Sequence, residues 1–196
     1  MDFEPHEEKK LVELAKTDAN AFGRLFEHYY DRIFNYALRR TGDVEVARDI
    51  TAETFFKALK NMHKFTWRKV PFSAWLYRIS TNEIAAYYRK GNYRTTSMED
   101  LQSKGFEPVS SVNLEEEIIA AERILQEQED WLICRKAINK MPAKYRDVIA
   151  LRFFADKKIS EIGMILGKPE GTIKSLLHRG LDKLKRTLLE KKRNLY

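Results

Sequence analysis

Ser160-Glu161-Ile162-Gly163-Met164-Ile165-Leu166-Gly167-Lys168-Pro169-Glu170-Gly171-Thr172-Ile173-Lys174-Ser175-Leu176-Leu177-His178-Arg179-Gly180 is the stretch on which the reading of this chain turns. Its first seven residues suit a short apolar helix, Gly167 to Glu170 suit a turn, and a longer helix follows. At ~100° per residue, Ile173, Leu176, Leu177, Leu181, Leu184 and Leu188 fall within an arc of about 140°. Gly180 lies in the middle of that arc. A mid-helix glycine costs about 1 kcal/mol, which makes sense if another helix passes close by. The opposite face carries Lys174, Ser175, His178, Arg179, Asp182, Lys183, Lys185 and Arg186. Short helix, turn and basic amphipathic helix make a helix-turn-helix, whose second helix lies in the major groove of DNA. Lys174, Ser175, His178 and Arg179 are placed to contact bases or phosphates, since a side chain cannot serve core and groove at once. Lys168 and Thr172, near the helix start, suit phosphate. A helical hairpin with a merely solvated basic face would show the same spacing.

Outward from this pair the chain reads all-α. Valine is rare, no alternating strand pattern stands out, and apolar residues recur at i, i+3, i+4 and i+7 over long stretches. The periodicity predicts helices over 6–16, 19–40, 44–62, 72–91, 114–140, 143–153, 160–166 and 171–190. Asp18 and Asp43 are N-cap residues for the second and third, and Asn113 with Glu116 resembles a capping box for the fifth. The stretch from Asn92 to Asn113 holds Gly105, Pro108 and several serines and threonines, and reads as a linker.

Charge divides the chain in the same way. Residues 1–94 carry 17 basic and 13 acidic side chains, residues 95–130 carry 2 and 10, and residues 131–196 carry 17 and 6. Two basic domains, 1–94 and 131–196, are thus joined by an acidic linker running into the first helix of the second domain. The formal net charge of +7 favours an anionic partner such as nucleic acid, or simply solubility. A single cysteine, Cys134, excludes an intrachain disulfide and fits a reducing compartment. It shares an apolar stripe with Trp131, Ile138 and Met141, a core position rather than a reactive thiol. The longest apolar run, Ile84 to Tyr88, is far short of the ~20 residues a membrane span needs. The acidic start, Met1 to Glu4, does not read as a signal peptide, so a cytoplasmic location without membrane insertion is expected.

Two further surfaces stand out. On the third helix Ala47, Ile50, Thr51, Thr54, Phe55, Ala58 and Met62 share one side, while Asp49, Glu53, Phe56, Lys57 and Lys60 share the other. An aromatic ring among charges suits a protein-docking face, although a second element of the same domain could also cover it. Asp49, Glu53 and Lys57 at i, i+4 and i+8 can also support the helix by ion pairing. The fourth helix has Phe72, Trp75, Leu76, Ile79 and Tyr87 as its expected core stripe, with Tyr77, Thr81, Ile84 and Tyr88 as a further stripe. Arg78, Asn82 and Arg89 share another face, and the loop before it holds Trp67, Arg68 and Lys69. Aromatics interleaved with cations suit single-stranded nucleic acid, because rings stack on unpaired bases.

An enzyme has little to start from. His6, His28, His63 and His178 have no local metal-ligand spacing, and neither a phosphate-cradling glycine loop nor a nucleophile elbow is present. No catalytic residue, metal or cofactor is expected.

Four motifs in order resemble a known family. Asp49-Ile50-Thr51-Ala52-Glu53-Thr54-Phe55-Phe56-Lys57-Ala58 looks like the polymerase-binding segment of bacterial extracytoplasmic-function (group IV) sigma factors. Phe72-Ser73-Ala74-Trp75-Leu76-Tyr77-Arg78-Ile79-Ser80-Thr81-Asn82 is similar to their signature before the minus-10 helix. Met141-Pro142-Ala143-Lys144-Tyr145-Arg146-Asp147-Val148 resembles the start of their second domain, and the helix-turn-helix resembles their minus-35 reader. The resemblance covers about residues 10–91 and 130–190.

It implies a four-helix region 2 domain and a helix-turn-helix region 4 domain. Asp49, Glu53, Phe56, Lys57 and Lys60 would dock on the coiled coil of the largest subunit of core RNA polymerase. Trp67, Arg68, Lys69, Arg78, Asn82 and Arg89 would hold the melted non-template strand of the minus-10 element. Lys168, Thr172, Lys174, Ser175, His178 and Arg179 would read the minus-35 duplex. The acidic linker would thread a basic channel of the polymerase, and an anti-sigma factor is an implied partner. The sequence departs from the family pattern at Ala52 (often glutamine), Leu176 (often basic), Met141 (usually leucine), and Gly163 and Gly180 (frequently alanine). The rival to a sigma factor is a helix-turn-helix operator-binding regulator that never touches polymerase.

Overall fold

Local chemistry sets the boundaries of several helices. The computed structural model describes residues 5–67, 70–89 and 131–193. The described residues form α1 (Pro5–Leu14), α2 (Ala19–Thr41), α3 (Val44–Asn61) and, after a short 3-10 turn over Met62–Lys64, α4 (Phe72–Arg89). Beyond the acidic segment come α5 (131–139), α6 (Ala143–Phe153), α7 (Ile159–Leu166) and α8 (Glu170–Arg193). No strand occurs among the described residues. The expected helix over 114–140 is described only from residue 131, and its Asn113–Glu116 capping box lies outside the described residues.

Both predicted caps form. Asp18 accepts from the Asn20 N–H at 2.8 Å, and Asp43 accepts from the Val46 N–H at 3.0 Å. Between α2 and α3 the chain reverses at Gly42, whose φ of 71° is left-handed and whose N–H closes onto the Leu38 carbonyl at 2.7 Å. α1 stops at Leu14 rather than at residue 16, because the chain must turn before Asp18 can cap α2.

In the first domain Leu25 and Ile33 of α2, Ile50 and Phe55 of α3, and Phe72, Leu76 and Ile84 of α4 meet in one core. Thr51 and Thr54 are buried in it with their hydroxyls donating 2.7 Å bonds to the Ala47 and Ile50 carbonyls. That is how two polar residues sit on the apolar side of α3 without an unpaired donor. In the second domain Val148, Ile149 and Leu151 of α6 pack with Ile162 and Ile165 of α7 and Ile173 and Leu184 of α8.

The two domains touch. α7 packs along α4, and a polar seam joins α2 to α5 and α6. Its centre is Arg40, fully buried at the end of α2, 3.2 Å from the Tyr36 hydroxyl and 3.3 Å from Asp147 Oδ1 of α6. The Arg40 carbonyl accepts from Tyr88 at 2.8 Å and from the Asn139 amide at 3.1 Å.

This contact reorders the faces expected for α4. Phe72 and Leu76 are core, as expected, but Trp75, Ile79 and Tyr87 are only half-buried. Tyr77, Thr81 and Ile84 are buried in their place. The reason is that α4 is covered from two sides. Tyr36 of α2 reaches Thr81 at 3.1 Å, and Lys157 of the second domain sits 4.7 Å above the Tyr77 ring.

Candidate nucleic-acid interface

The turn of the helix-turn-helix is built from its glycines. Gly167 ends α7 with a φ of 64°. A Cβ on Gly163 would stand 2.8 Å from the Lys168 carbonyl, so the departure from alanine there matches a turn that passes unusually close. The start of α7 is held by Glu161, which accepts from the Lys158 N–H at 2.8 Å. At Gly180 a Cβ would meet Ile149 Cδ1 at 3.0 Å and Tyr145 Cβ at 3.4 Å. α6 is therefore the helix that the mid-helix glycine called for.

α8 presents the expected face. Lys168, Thr172, Lys174, Ser175, His178 and Arg179 are all exposed. The Ser175 hydroxyl donates to the Gly171 carbonyl at 2.9 Å, and His178 Nε2 lies 3.5 Å from Asp182. On the other side Ile173 and Leu184 are buried and Leu176, Leu177 and Leu188 half-buried. Leu181 departs from the expected stripe. It is 38% exposed because Gly180 draws α8 against α6 along a narrower strip than the wheel allowed.

On the first domain, α3, the 3-10 turn and α4 enclose a groove of about 510 Å³. Phe65, Trp75 and Ile79 make its apolar wall, with the Phe65 and Trp75 rings 4.8 Å apart. Asn61 and Asn82 bring amide groups to it, Lys64 and Arg78 bring positive charge, and Lys57 is paired there with Glu83 at 2.7 Å. Flat apolar walls with convergent amide and cationic groups suit a single nucleobase and its phosphate. Trp67 stands outside the groove lining, half-buried and edge-on to Phe65 at 6.4 Å, while its neighbour Thr66 lines the groove. Arg78, Asn82 and Arg89 are exposed along α4. Arg68 and Lys69 lie outside the described residues. Asn61, Lys64 and Phe65 were missed by sequence reasoning, because the groove is closed by a turn that helical periodicity does not register.

The α3 face is laid out as its spacing predicts. Phe56 is 58% exposed, with Asp49 and Lys60 exposed beside it and Glu53 half-buried. Leu59, 50% exposed one turn on, extends the apolar patch. The i+3 spacing from Phe56 to Leu59 was the signal that could have found the leucine. Lys57 pairs with Glu53 at 3.2 Å and more closely with Glu83 of α4 at 2.7 Å. The Glu83 bond, with Glu53 in support, raises the Lys57 pKa. The lysine therefore ties α3 to α4 as well as following the ladder on its own helix.

Residues 25–94 match the sigma-70 region 2 family, and residues 137–186 match sigma-70 region 4. Over 185 residues the chain is 33% identical to the ECF RNA polymerase sigma factor SigW of Bacillus subtilis, a match covering 92% of this chain and 95% of SigW. The chain belongs to the ECF RNA polymerase sigma factors. This sigma factor is also 31% identical to the ECF RNA polymerase sigma factor BldN of Streptomyces coelicolor, spanning 91% of this chain but 65% of BldN. Its fold is shared with CnrH, solved in complex with the cytosolic domain of CnrY, at a TM-score of 0.64, 20% identity and coverage of 92% and 96% of the two chains. The sigma factor RpoE from Bartonella quintana, solved with the anti-sigma factor NepR, superposes at a TM-score of 0.54 with 22% identity, covering 85% of this sigma factor and 96% of RpoE. In this sigma factor the α3 face falls within the region 2 match, as does the groove apart from Met164, and the α8 face falls within region 4. No described helix is long and apolar enough to cross a membrane.

Proposed function

We propose that this sigma factor binds core RNA polymerase through the α3 face and directs promoter-specific initiation in the cytoplasm. The carrying observation is the pairing of an exposed aromatic, Phe56, with a charged rim on one helix of a region 2 domain. Asp49, Glu53, Lys57 and Lys60 form that rim and would meet the coiled coil of the largest subunit. The groove by α4, with Arg78, Asn82 and Arg89 and the loop of Trp67, Arg68 and Lys69, would hold the melted non-template strand of the minus-10 element. The α8 face, with Lys168, Thr172, Lys174, Ser175, His178 and Arg179, would read the minus-35 duplex. The solved complex of RpoE with the anti-sigma factor NepR supports an anti-sigma factor as a further partner. An operator-binding regulator would have no use for the α3 face or the groove.

The test is RNA synthesis from a cognate promoter by the purified chain with core polymerase. Phe56→Ala should fold normally and weaken core binding by about 2 kcal/mol, a typical aromatic hot spot. Unchanged core affinity in that variant would remove the α3 face from the interface.

A further inference from the structure

Asp182 stands in the middle of the cationic face of α8. At ~100° per residue, Lys174, Ser175, His178 and Arg179 span an arc of about 140°, and Asp182 falls within about 10° of its midpoint. Lys185 and Arg186 continue the same side one turn further on, and all of these residues are exposed. The Asp182 side chain itself is 57% exposed.

Its partner shows which way the carboxylate leans. Asp182 Oδ2 lies 3.5 Å from His178 Nε2, one turn toward the helix N-terminus, the direction in which helical side chains tilt. A carboxylate that braces a helix works best N-terminal to its cation, and Arg186 at i+4 offers that pairing. Among the described residues Asp182 pairs with neither Arg186 nor Lys185, and its second oxygen, Oδ1, has no hydrogen-bond partner. The group is turned toward the residues assigned to the duplex, with an acceptor to spare.

Phosphates repel a carboxylate in every sequence, so one on a DNA-reading face weakens binding unless a base supplies a donor. A carboxylate only accepts. In the major groove guanine shows N7 and O6 and thymine shows O4, all acceptors that it rejects. Adenine sets its N6 amine beside the N7 acceptor, whereas cytosine offers its N4 amine with no acceptor next to it. Cytosine is therefore the base that a carboxylate fits best. The axial distance from Lys174 to Asp182 is ~12 Å at ~1.5 Å per residue, no more than the ~12 Å width of the groove, so the carboxylate is not carried past the base edges.

We propose that Asp182 is a specificity-determining residue of the minus-35 reader, selecting a cytosine by accepting from its N4 amine and rejecting guanine and thymine by repulsion. The role rests on the reading of the α8 face as the minus-35 reader. His178 keeps the carboxylate turned toward the groove.

The test uses holoenzyme formed with core RNA polymerase and a library of duplex promoters whose minus-35 element is randomised. Wild type, Asp182→Ala and Asp182→Asn are compared, both changes falling at an exposed position that leaves the packed side of α8 intact. Wild type should favour cytosine at one position by about tenfold, within the range of a single specific contact. Asp182→Ala should bind all four bases at that position within about twofold of one another. Asp182→Asn should move the preference there to adenine, because an amide pairs with N6 and N7 together. A brace within the helix would change no letter. If Arg179→Ala or Lys174→Ala alters binding while both Asp182 variants keep the wild-type preferences, the proposal is overturned and the α8 reading stands. A preference lost at a base other than cytosine overturns the assignment to cytosine. Wild-type binding in all four variants removes the α8 face from the duplex, and the role of Asp182 with it.

Discussion

α4 and α8 are both amphipathic helices with cations on one side, and they divide their residues by different rules. α8 has one packing partner face, toward α6 and α7, and its charged side stays open to solvent. A helix packed on one side obeys its wheel, so Lys174, Ser175, His178 and Arg179 sit where 100° per residue puts them. α4 is packed by α2 and α3 on one flank and by α7 on another. Its wheel named Trp75 and Ile79 as core, and the structure put Tyr77 and Thr81 there instead. The number of neighbours, more than the apolar pattern, decides which positions on such a helix are wet.

The sharpest test of this difference sets one leucine from each helix against the other. Leu76→Ala on α4, at a fully buried position, should cost about 3 kcal/mol in urea unfolding. Leu181→Ala on α8, 38% exposed, should cost under about 1 kcal/mol although the wheel places it in the stripe. Equal losses would mean that α8 packs as its wheel says and that the narrow strip beside Gly180 is wrong.

Next in size is the open face. Arg179→Ala should weaken minus-35 binding by about 2 kcal/mol, the middle of the range for one specific base contact. A base contact shows as relaxed discrimination at one promoter letter. A phosphate contact shows as a uniform loss with the salt slope lowered by about one. Wild-type affinity and slope in both Arg179→Ala and Lys174→Ala would remove this face from the duplex.

The covered face has its own signature in alkali. Burial foremost, with the nearby Tyr36 in support, pushes the Tyr77 phenol up to about 12. The unfolded chain releases that proton near pH 10, so between about 10 and 12 the unfolded state holds fewer protons than the folded one. Stability contributed by the neutral phenol is present below pH 10 and falls as pH rises through this window, by up to about 1.4 kcal/mol per unit. Tyr77→Phe should flatten the fall in urea unfolding across pH 9 to 11. Tyr36, also raised by burial, leaves part of the slope in place. An unaltered slope in Tyr77→Phe would mean that α7 leaves this ring wet.

The smallest effect belongs to the α3–α4 tie. Lys57→Met removes two ion pairs at a side chain 40% exposed, where solvent screens both, so about 0.5 kcal/mol is expected in thermal unfolding. A loss several times larger would make the Lys57–Glu83 pair a principal brace of the groove.

Much of this was legible locally. Asp18 and Asp43 announce their helices because a carboxylate before an apolar-periodic run has orphan N–H groups to accept from. Gly180 announced a crossing helix, and Phe56 announced a face without cover. What periodicity could not convey was the groove wall at Asn61, Lys64 and Phe65, which depends on how a 3-10 turn folds back against α4. It also gave no hint that Arg40, a charged residue in the last turn of a helix, would be the largest fully buried side chain among the described residues.

The sequence by itself indicated the all-α character of the described residues, the basic charge on either side of an acidic stretch, and the exposed faces of α3 and α8. Those properties follow from spacing along one helix and from charge counted along the chain, and neither needs a distant residue. The tertiary structure alone decided the inward side of α4, the groove and the seam between domains. They depend on residues ten to more than a hundred positions apart, such as Phe65 with Trp75, Tyr36 with Thr81 and Arg40 with Asp147. No local pattern encodes which distant surface arrives, because the same amphipathic stripe serves any partner of matching shape and charge.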